Sequence, residues 1–486
     1  MTHSPLPEDI APGKSTNDLQ RELEDLDLHI SQVEALLRQL RGKAMELKET
    51  ITHRSSPVLR LPPEVLADIF EACLPEITWP KDGPTVPNAT MPLVFGKVCR
   101  MWRDVAWSTP KLWSGISLLL ENSTPTDCEL LQEWLSRSGH SPLSIHLQFD
   151  RDGATAGDAT RSILRIIADT CERWRDIYFA FPASFYQHFN IIRGHLPLLT
   201  NLSLALRILD VRERNFQHFS TVPQLRHVEI YGYNRELMNI PLDQVTKLSF
   251  SVVEAAHCME TLKGFPYLSH CTFKYMYMGR DGSPFPALVS EVKYLEFVVN
   301  NMDLLSMFLD SLVLPVVQEL RIDMRRGQLP HSSLVSLVSR SGCSLQRLSL
   351  AMCSCKAAEL QALFSAIPSL IEIEVNNCVV SGGTVLQLLE LSKDISAIML
   401  PNLQALKLVD QDGTAFSDLA SMALSRSRRA TSDDGRNKVA QLSSLAVTWI
   451  TTVPQANADG LAFAQLQQFI AEGMEISIRD RDSIIF

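Results

Sequence analysis

The sequence predicts an α/β protein in three parts: an N-terminal coiled-coil helix, a small helical unit, and a solenoid of parallel strands and helices. Three observations predict it. Apolar residues repeat in heptads from Leu19 to Ile51. Two proline-bounded amphipathic stretches lie between Leu61 and Trp113. An L-x-x-L-x-L unit then recurs ten times between Leu199 and Val447.

The composition bounds the function. The chain has 486 residues, 45% hydrophobic and 21% charged, the balance of a globular protein. Its net charge of −10 argues against a nucleic-acid partner, because neutralising phosphates takes a basic surface. The ten cysteines are scattered, and Cys271, Cys353 and Cys378 sit inside apolar patterns, so free buried thiols and a reducing compartment are expected. The start, MTHSPLPEDIAPGK, lacks the layout of a secretory signal. The apolar run from Met302 to Leu320 is interrupted by Asp303 and Asp310, so no membrane span is expected. Cytoplasm or nucleus follows.

Residues 1–17 are polar and carry Pro5, Pro7 and Pro12, which predicts a disordered lead-in. Residues 18–54 predict the coiled-coil helix, with Leu23, Ile30, Leu37, Ala44 and Ile51 at its a positions. Parallel pairing of two copies would set Glu22 against Asp27 and Lys43 against Lys48. Antiparallel pairing can set Asp27 against Lys48 and Glu34 against Arg41. The charges favour antiparallel self-association or pairing with another helix; packing of the helix on its own chain is the alternative.

The helical unit spans 57–117. Pro62 and Pro63 open a helix where a missing N–H costs nothing, and Val65, Leu66, Ile69, Phe70 and Cys73 share its apolar face. Val94, Val98, Met101, Trp102 and Val105 predict a second helix, which Pro110 ends before Leu112 and Trp113. The run Leu61-Pro62-x-Glu64-Val65-Leu66-x-x-Ile69-Phe70, then Val98-Cys99-Arg100-x-Trp102-Arg103, then Pro110-x-Leu112-Trp113, resembles an F-box. Residues 76–92, rich in proline, exceed the family's spacing and predict an inserted loop. The resemblance implies binding of a Skp-type adaptor, and through it a cullin, with Leu61, Pro62, Leu66, Ile69, Phe70, Val98, Trp102, Leu112 and Trp113 forming or supporting the contact.

Residues 140–480 predict the solenoid. Between Leu202 and Ile373 the units recur every 20 to 28 residues, close to the period of leucine-rich repeats, with strands on the concave face and helices between them. Asn300, Cys353 and Cys378 stand where such repeats hydrogen-bond the turn after the strand. The polar segment 425–438 predicts a disordered insertion.

No catalytic constellation, metal set or cofactor loop survives this reading, which predicts a non-enzymatic chain without cofactor. The outward strand positions Glu229, Tyr231, Lys274, Glu296, Arg321, Asp323, Glu374 and Lys407 carry mixed charge, which suits a protein target better than a phosphate backbone. The resemblance and the repeats together imply a substrate-recognition subunit of an SCF-type ubiquitin ligase. A repeat scaffold outside any ligase is the alternative.

Overall fold

The structure, a computed structural model, describes residues 16–55, 57–74, 90–149, 156–205, 216–232, 239–279, 284–391, 399–410, 414–430, 439–449 and 460–480. Most of the expected lead-in, the inserted loop as far as residue 89, segment 431–438 and Tyr233 lie outside the described residues. The chain divides into two compact units, Met1–Thr78 with Thr90–Leu112 and Trp79–Ala89 with Trp113–Phe486.

The first unit opens with α1 (Thr16–Ser55), one helix of 40 residues. A short turn leads to α2 (Pro63–Ala72), whose Leu66 and Phe70 are buried. The pattern from Val94 to Val105 predicts a single helix, and the structure divides it into α3 (Met91–Phe95) and α4 (Arg100–Ser108). Gly96 stands at the C-cap of α3. Cys99 is extended, and the Trp107 ring lies against the backbone of Gly96 so closely that a Cβ there would overlap it. Gly96→Ala is therefore expected to cost about 1–3 kcal/mol by overpacking, read as a lowered midpoint of tryptophan-fluorescence unfolding.

The second unit is built on one parallel sheet of fourteen strands in chain order. They are β1 (Gly115–Leu119), β2 (Leu143–Gln148), β3 (Trp174–Ala180), β4 (Asn201–Ala205), β5 (His227–Tyr231), β6 (Lys247–Ser251), β7 (His270–Lys274), β9 (Tyr294–Val298), β11 (Glu319–Asp323), β12 (Arg347–Ala351), β13 (Glu372–Asn376), β14 (Ala405–Val409), β15 (Ser444–Trp449) and β16 (Glu475–Asp480). The two-residue strands β8 (Leu288–Val289) and β10 (Leu312–Val313) pair separately. This is the architecture of a leucine-rich-repeat solenoid. It starts earlier than the predicted 140: β1 and α5 (Pro125–Arg137) precede that point, so 115–117 belong to the sheet rather than to the helical unit.

The L-x-x-L-x-L spacing explains the sheet. Alternate residues point to opposite faces, and from β3 onwards the strands pair without slip, the one shift lying at Leu143/Ser144 between β2 and β3. Leu248, Cys271, Leu295, Leu320, Leu348, Ile373 and Leu406 therefore align as one buried column. The residue after many strands adopts the left-handed region, as do Val252, Met352 and Asp410. That conformation costs roughly 1–2 kcal/mol outside glycine. In return each N–H continues the ladder, to the carbonyls of Lys274 at 2.9 Å, Asn376 at 2.8 Å and Thr448 at 2.7 Å. Of the predicted turn residues, Cys353 and Cys378 are buried, and the Cys378 thiol donates to the carbonyl of Leu350 at 3.4 Å. Asn300 is exposed instead; its neighbour Asn301 caps α8 (Met302–Ser311), accepting from Leu304 N–H at 3.0 Å.

Helices α6 (Asp158–Ala168), α7 (Ala255–Gly264), α8, α9 (His331–Ser341), α10 (Ala357–Ala366), α11 (Gly382–Leu389), α12 (Phe416–Ala430) and α13 (Gly460–Ala471) lie between strands in the sequence. Residues 425–430, expected to be disordered, are the last turns of α12, and Arg426 is fully buried. Its guanidinium donates to the carbonyls of Leu389 at 3.1 Å, Leu400 at 3.0 Å and Met399 at 3.0 Å, closing the end of α11. Arg340 of α9 does the same for α8, reaching Leu309 O at 2.8 Å and Leu312 O at 3.1 Å. A polar run in the sequence thus hides an arginine that the fold uses as a cap.

Candidate functional site

Two surfaces answer to the residues singled out in the sequence, one in each unit. The first is the helical unit. Phe70 stacks on Phe95 with ring centres 4.2 Å apart and meets Trp102 edge-on at 4.9 Å, giving the three short helices an aromatic centre. Lys111 adds an ion pair to Glu71 at 2.9 Å, tying the turn after α4 back to α2.

This core divides the expected adaptor-binding residues. Leu66, Phe70 and Leu112 are buried and supply the framework rather than a contact surface. Leu61 and Trp102 are half-buried, whereas Pro62 is exposed. Ile69 is 42% exposed and Val98 58% exposed. Trp113 lies in the other unit, packed edge-on against Trp134 at 4.6 Å with the Arg137 guanidinium 4.8 Å over its ring. The outward apolar set includes residues outside the expected contact set: Val65 stands one turn before Ile69 on α2, and Leu93 and Val94 are exposed on α3. Their signal was the wide apolar face of the predicted helices, too wide for so small a core to cover.

The second surface is the open face of the sheet. The register sets Glu296 beside Arg321 and Glu374 beside Lys407, and most of the expected target residues are occupied with each other or with a near neighbour. Lys274 lies 3.6 Å from Glu229, and Lys407 lies 2.8 Å from Glu374. Glu296 accepts from Tyr294 at 2.6 Å and from Thr272 at 3.2 Å. Arg321 donates to Glu319 at 2.7 Å, and Asp323 accepts from the backbone N–H of Arg325 at 2.9 Å. Arg347 completes a cluster on Glu319 at 2.7 Å. Burial alone would raise the Glu319 carboxyl, but the hydrogen bonds from Arg347 and Arg321 outweigh it and hold it below its usual range.

Tyr231 differs from this paired set, being 47% exposed at the end of β5. Tyr275 and Tyr277, just beyond β7, are also exposed, and Arg325 stacks 5.4 Å over the Tyr275 ring and donates to its hydroxyl. The sequence reading also missed the outward row one step earlier on each strand, where His227, Lys247 and His270 are consecutive neighbours. Reading columns across repeats would have found them. Burial first, then the charge of Lys247, lowers the pKa of both histidines.

His146 is the most perturbed histidine. It is buried with Nδ1 3.1 Å from Ser117 Oγ and its ring 4.4 Å from that of Tyr178, and burial pushes its pKa down to about 4. A histidine that weak as a base does not activate the neighbouring serine at neutral pH. It does couple folding to pH. The folded state holds the ring neutral, whereas the unfolded state takes up a proton below about 6.5. Stability is therefore full above that value and falls as pH drops towards 4, with a slope approaching about 1.4 kcal/mol per pH unit. Urea midpoints of wild type and His146→Gln across this range check it: the variant is expected to show the shallower dependence. Among the described residues no group of three or more His, Cys, Asp or Glu could hold a metal ion, and no helix is long and apolar enough to cross a membrane.

Comparison with known proteins adds little. No protein-family model and no curated protein matches the chain. Among solved structures, the leucine-rich repeat-containing protein LegL7 from Legionella pneumophila is 14% identical at a TM-score of 0.33, covering 61% of this chain and 88% of that one. A chain of the Rad7 and Elc1 complex in yeast is 14% identical at a TM-score of 0.38, covering 80% of this chain and 95% of that one. Likenesses this distant do not bear on what this chain binds.

Proposed function

We propose that the helical unit is an F-box and that the chain is the substrate-recognition subunit of a cullin-RING ubiquitin ligase of the SCF type. The F-box docks a Skp-type adaptor, which links it to the cullin, and the open face of the solenoid holds a protein target. The observation that carries this reading is the outward apolar set of Val65 and Ile69 on α2, Val94 on α3 and Val98 in the turn before α4, around an aromatic core of Phe70, Phe95 and Trp102. Val65 and Ile69 stand one turn apart on α2, and adjoining exposed apolar side chains of this kind suit a partner surface. On the solenoid, the contact falls to Tyr231, Tyr275 and Tyr277, since tyrosine is favoured at interface hot spots and the neighbouring charges are already paired.

The chain itself performs no chemistry in this reading. It raises the effective concentration of target lysines near a ubiquitin-loaded enzyme carried by other subunits, in cytoplasm or nucleus. Affinity purification of the full chain tests it. Stoichiometric recovery of a Skp-type adaptor together with a cullin is expected. A folded chain that recovers neither overturns the reading in favour of a scaffold acting outside any ligase.

A further inference from the structure

The seam of α1 is the largest apolar feature that the proposed function does not use. Leu23, Leu26, Ile30, Val33, Leu37, Leu40 and Leu47 are each 44–64% exposed along the helix, so no neighbour within their own unit covers them. α1 therefore does not bury its seam on its own unit. A helix of 40 residues is about 60 Å long, and one of this length draws its stability mainly from a covered apolar stripe. Gly42 in its interior weakens it further as a lone helix.

Charge indicates what covers the stripe. The first half of α1, residues 16–35, has six acidic residues and one basic; the second half, residues 36–55, has five basic and two acidic. We infer that α1 pairs with α1 of a second copy of this chain, in antiparallel orientation and over its whole length. In that register Leu23 meets Leu47, Leu26 meets Ala44, Ile30 meets Leu40 and Val33 meets Leu37, each contact made twice by symmetry. Asp27 faces Arg41 at both ends. Glu34 meets its own counterpart once, at the centre.

Two other arrangements are weaker. A parallel pair buries the same seam but sets Glu22 against Asp27 and Lys43 against Lys48, acidic half on acidic half and basic half on basic half. With apolar burial equal, charge decides against it. The antiparallel register one heptad away gives Asp27–Lys48 and Glu34–Arg41 but leaves Leu19 and Leu23 uncovered in both copies. Exposed ion pairs add little beside buried leucines, so full overlap prevails.

The test uses the purified full chain without adaptor, which separates it from the ligase reading. Light scattering at micromolar concentration is expected to give twice the chain mass of 54.4 kDa, and Ile30→Asp with Leu37→Asp to give the single mass with the melting of the repeat unit unchanged. Orientation is read in a Cys73→Ser background by mixing chains bearing Leu23→Cys with chains bearing Leu47→Cys under mild oxidation. Disulfides joining position 23 to position 47 are expected, with few joining like positions. A wild-type chain that stays single, or crosslinks confined to like positions, overturns the inference; a single chain whose seam is taken by a helix of another protein does so as well.

Discussion

Replacing Arg426 by methionine is expected to destabilise the C-terminal repeats by about 3–5 kcal/mol, although the residue lies in the most polar stretch of the chain. The guanidinium is fully buried, and its three hydrogen bonds end on the carbonyls of Leu389, Met399 and Leu400. Methionine fills much of the volume but leaves those acceptors facing an apolar environment, at about 1–3 kcal/mol for each unsatisfied group. Burial lowers the arginine pKa to about 10, so it remains protonated at neutral pH and the charged donors are present. Because stability in a stacked repeat array is shared mainly between neighbours, the loss should be local. Hydrogen exchange is expected to accelerate in α11, α12 and β14 while the β2–β4 region is unchanged. Arg426→Lys should recover only part of the loss, since an ammonium lacks the planar fork that reaches three carbonyls. A variant with wild-type exchange throughout would remove the cap from this account.

The second large effect concerns the proposed adaptor contact. Ile69→Asp with Val98→Asp is expected to weaken binding of a Skp-type adaptor by about 4 kcal/mol, near a thousandfold in Kd, with the unit still folded. Both side chains point outward, so a charge there is solvated in the free protein and costs only when a partner covers it. Leu66→Asp is expected to abolish binding by a different route. Leu66 is completely buried in the small core, and a carboxylate there unfolds the unit. Calorimetric titration with circular dichroism on the same samples separates the cases: lost binding with full helicity for the outward pair, lost helicity for the inward one. Undiminished binding by the folded double variant would mean that this face is not where the adaptor sits.

The division between Ile69 and Leu66 also shows how far the sequence could be read. Val65, Leu66, Ile69 and Phe70 are all apolar at helical spacing, and spacing alone places them on one broad face of α2. Which part of that face is core depends on where Phe95 and Trp102 arrive, and those residues come from segments some 25 to 32 positions away. The packing of Trp107 on Gly96 was equally hidden, because it depends on a ring from α4 closing over the end of α3. On the solenoid, alternation identified the outward strand positions. It could not reveal that Lys274 and Glu229, or Lys407 and Glu374, neutralise each other, since their pairing depends on the register of strands from different repeats.

The sequence by itself determined the long N-terminal helix, the helical nature of the following unit, and the strands of the repeats with their inward and outward positions. All of these follow from periodicities of 3.5, 3.6 and 2 residues, which are local properties of the chain. Only the tertiary structure decided that the sheet begins at Gly115, that residues 425–430 continue a helix, that Arg426 is a buried cap, and that the charges of the open face are largely paired while its exposed tyrosines lie around β5 and β7. Each of those outcomes depends on groups brought together from distant parts of the sequence, where burial and hydrogen bonding, rather than propensity, set the lowest free energy.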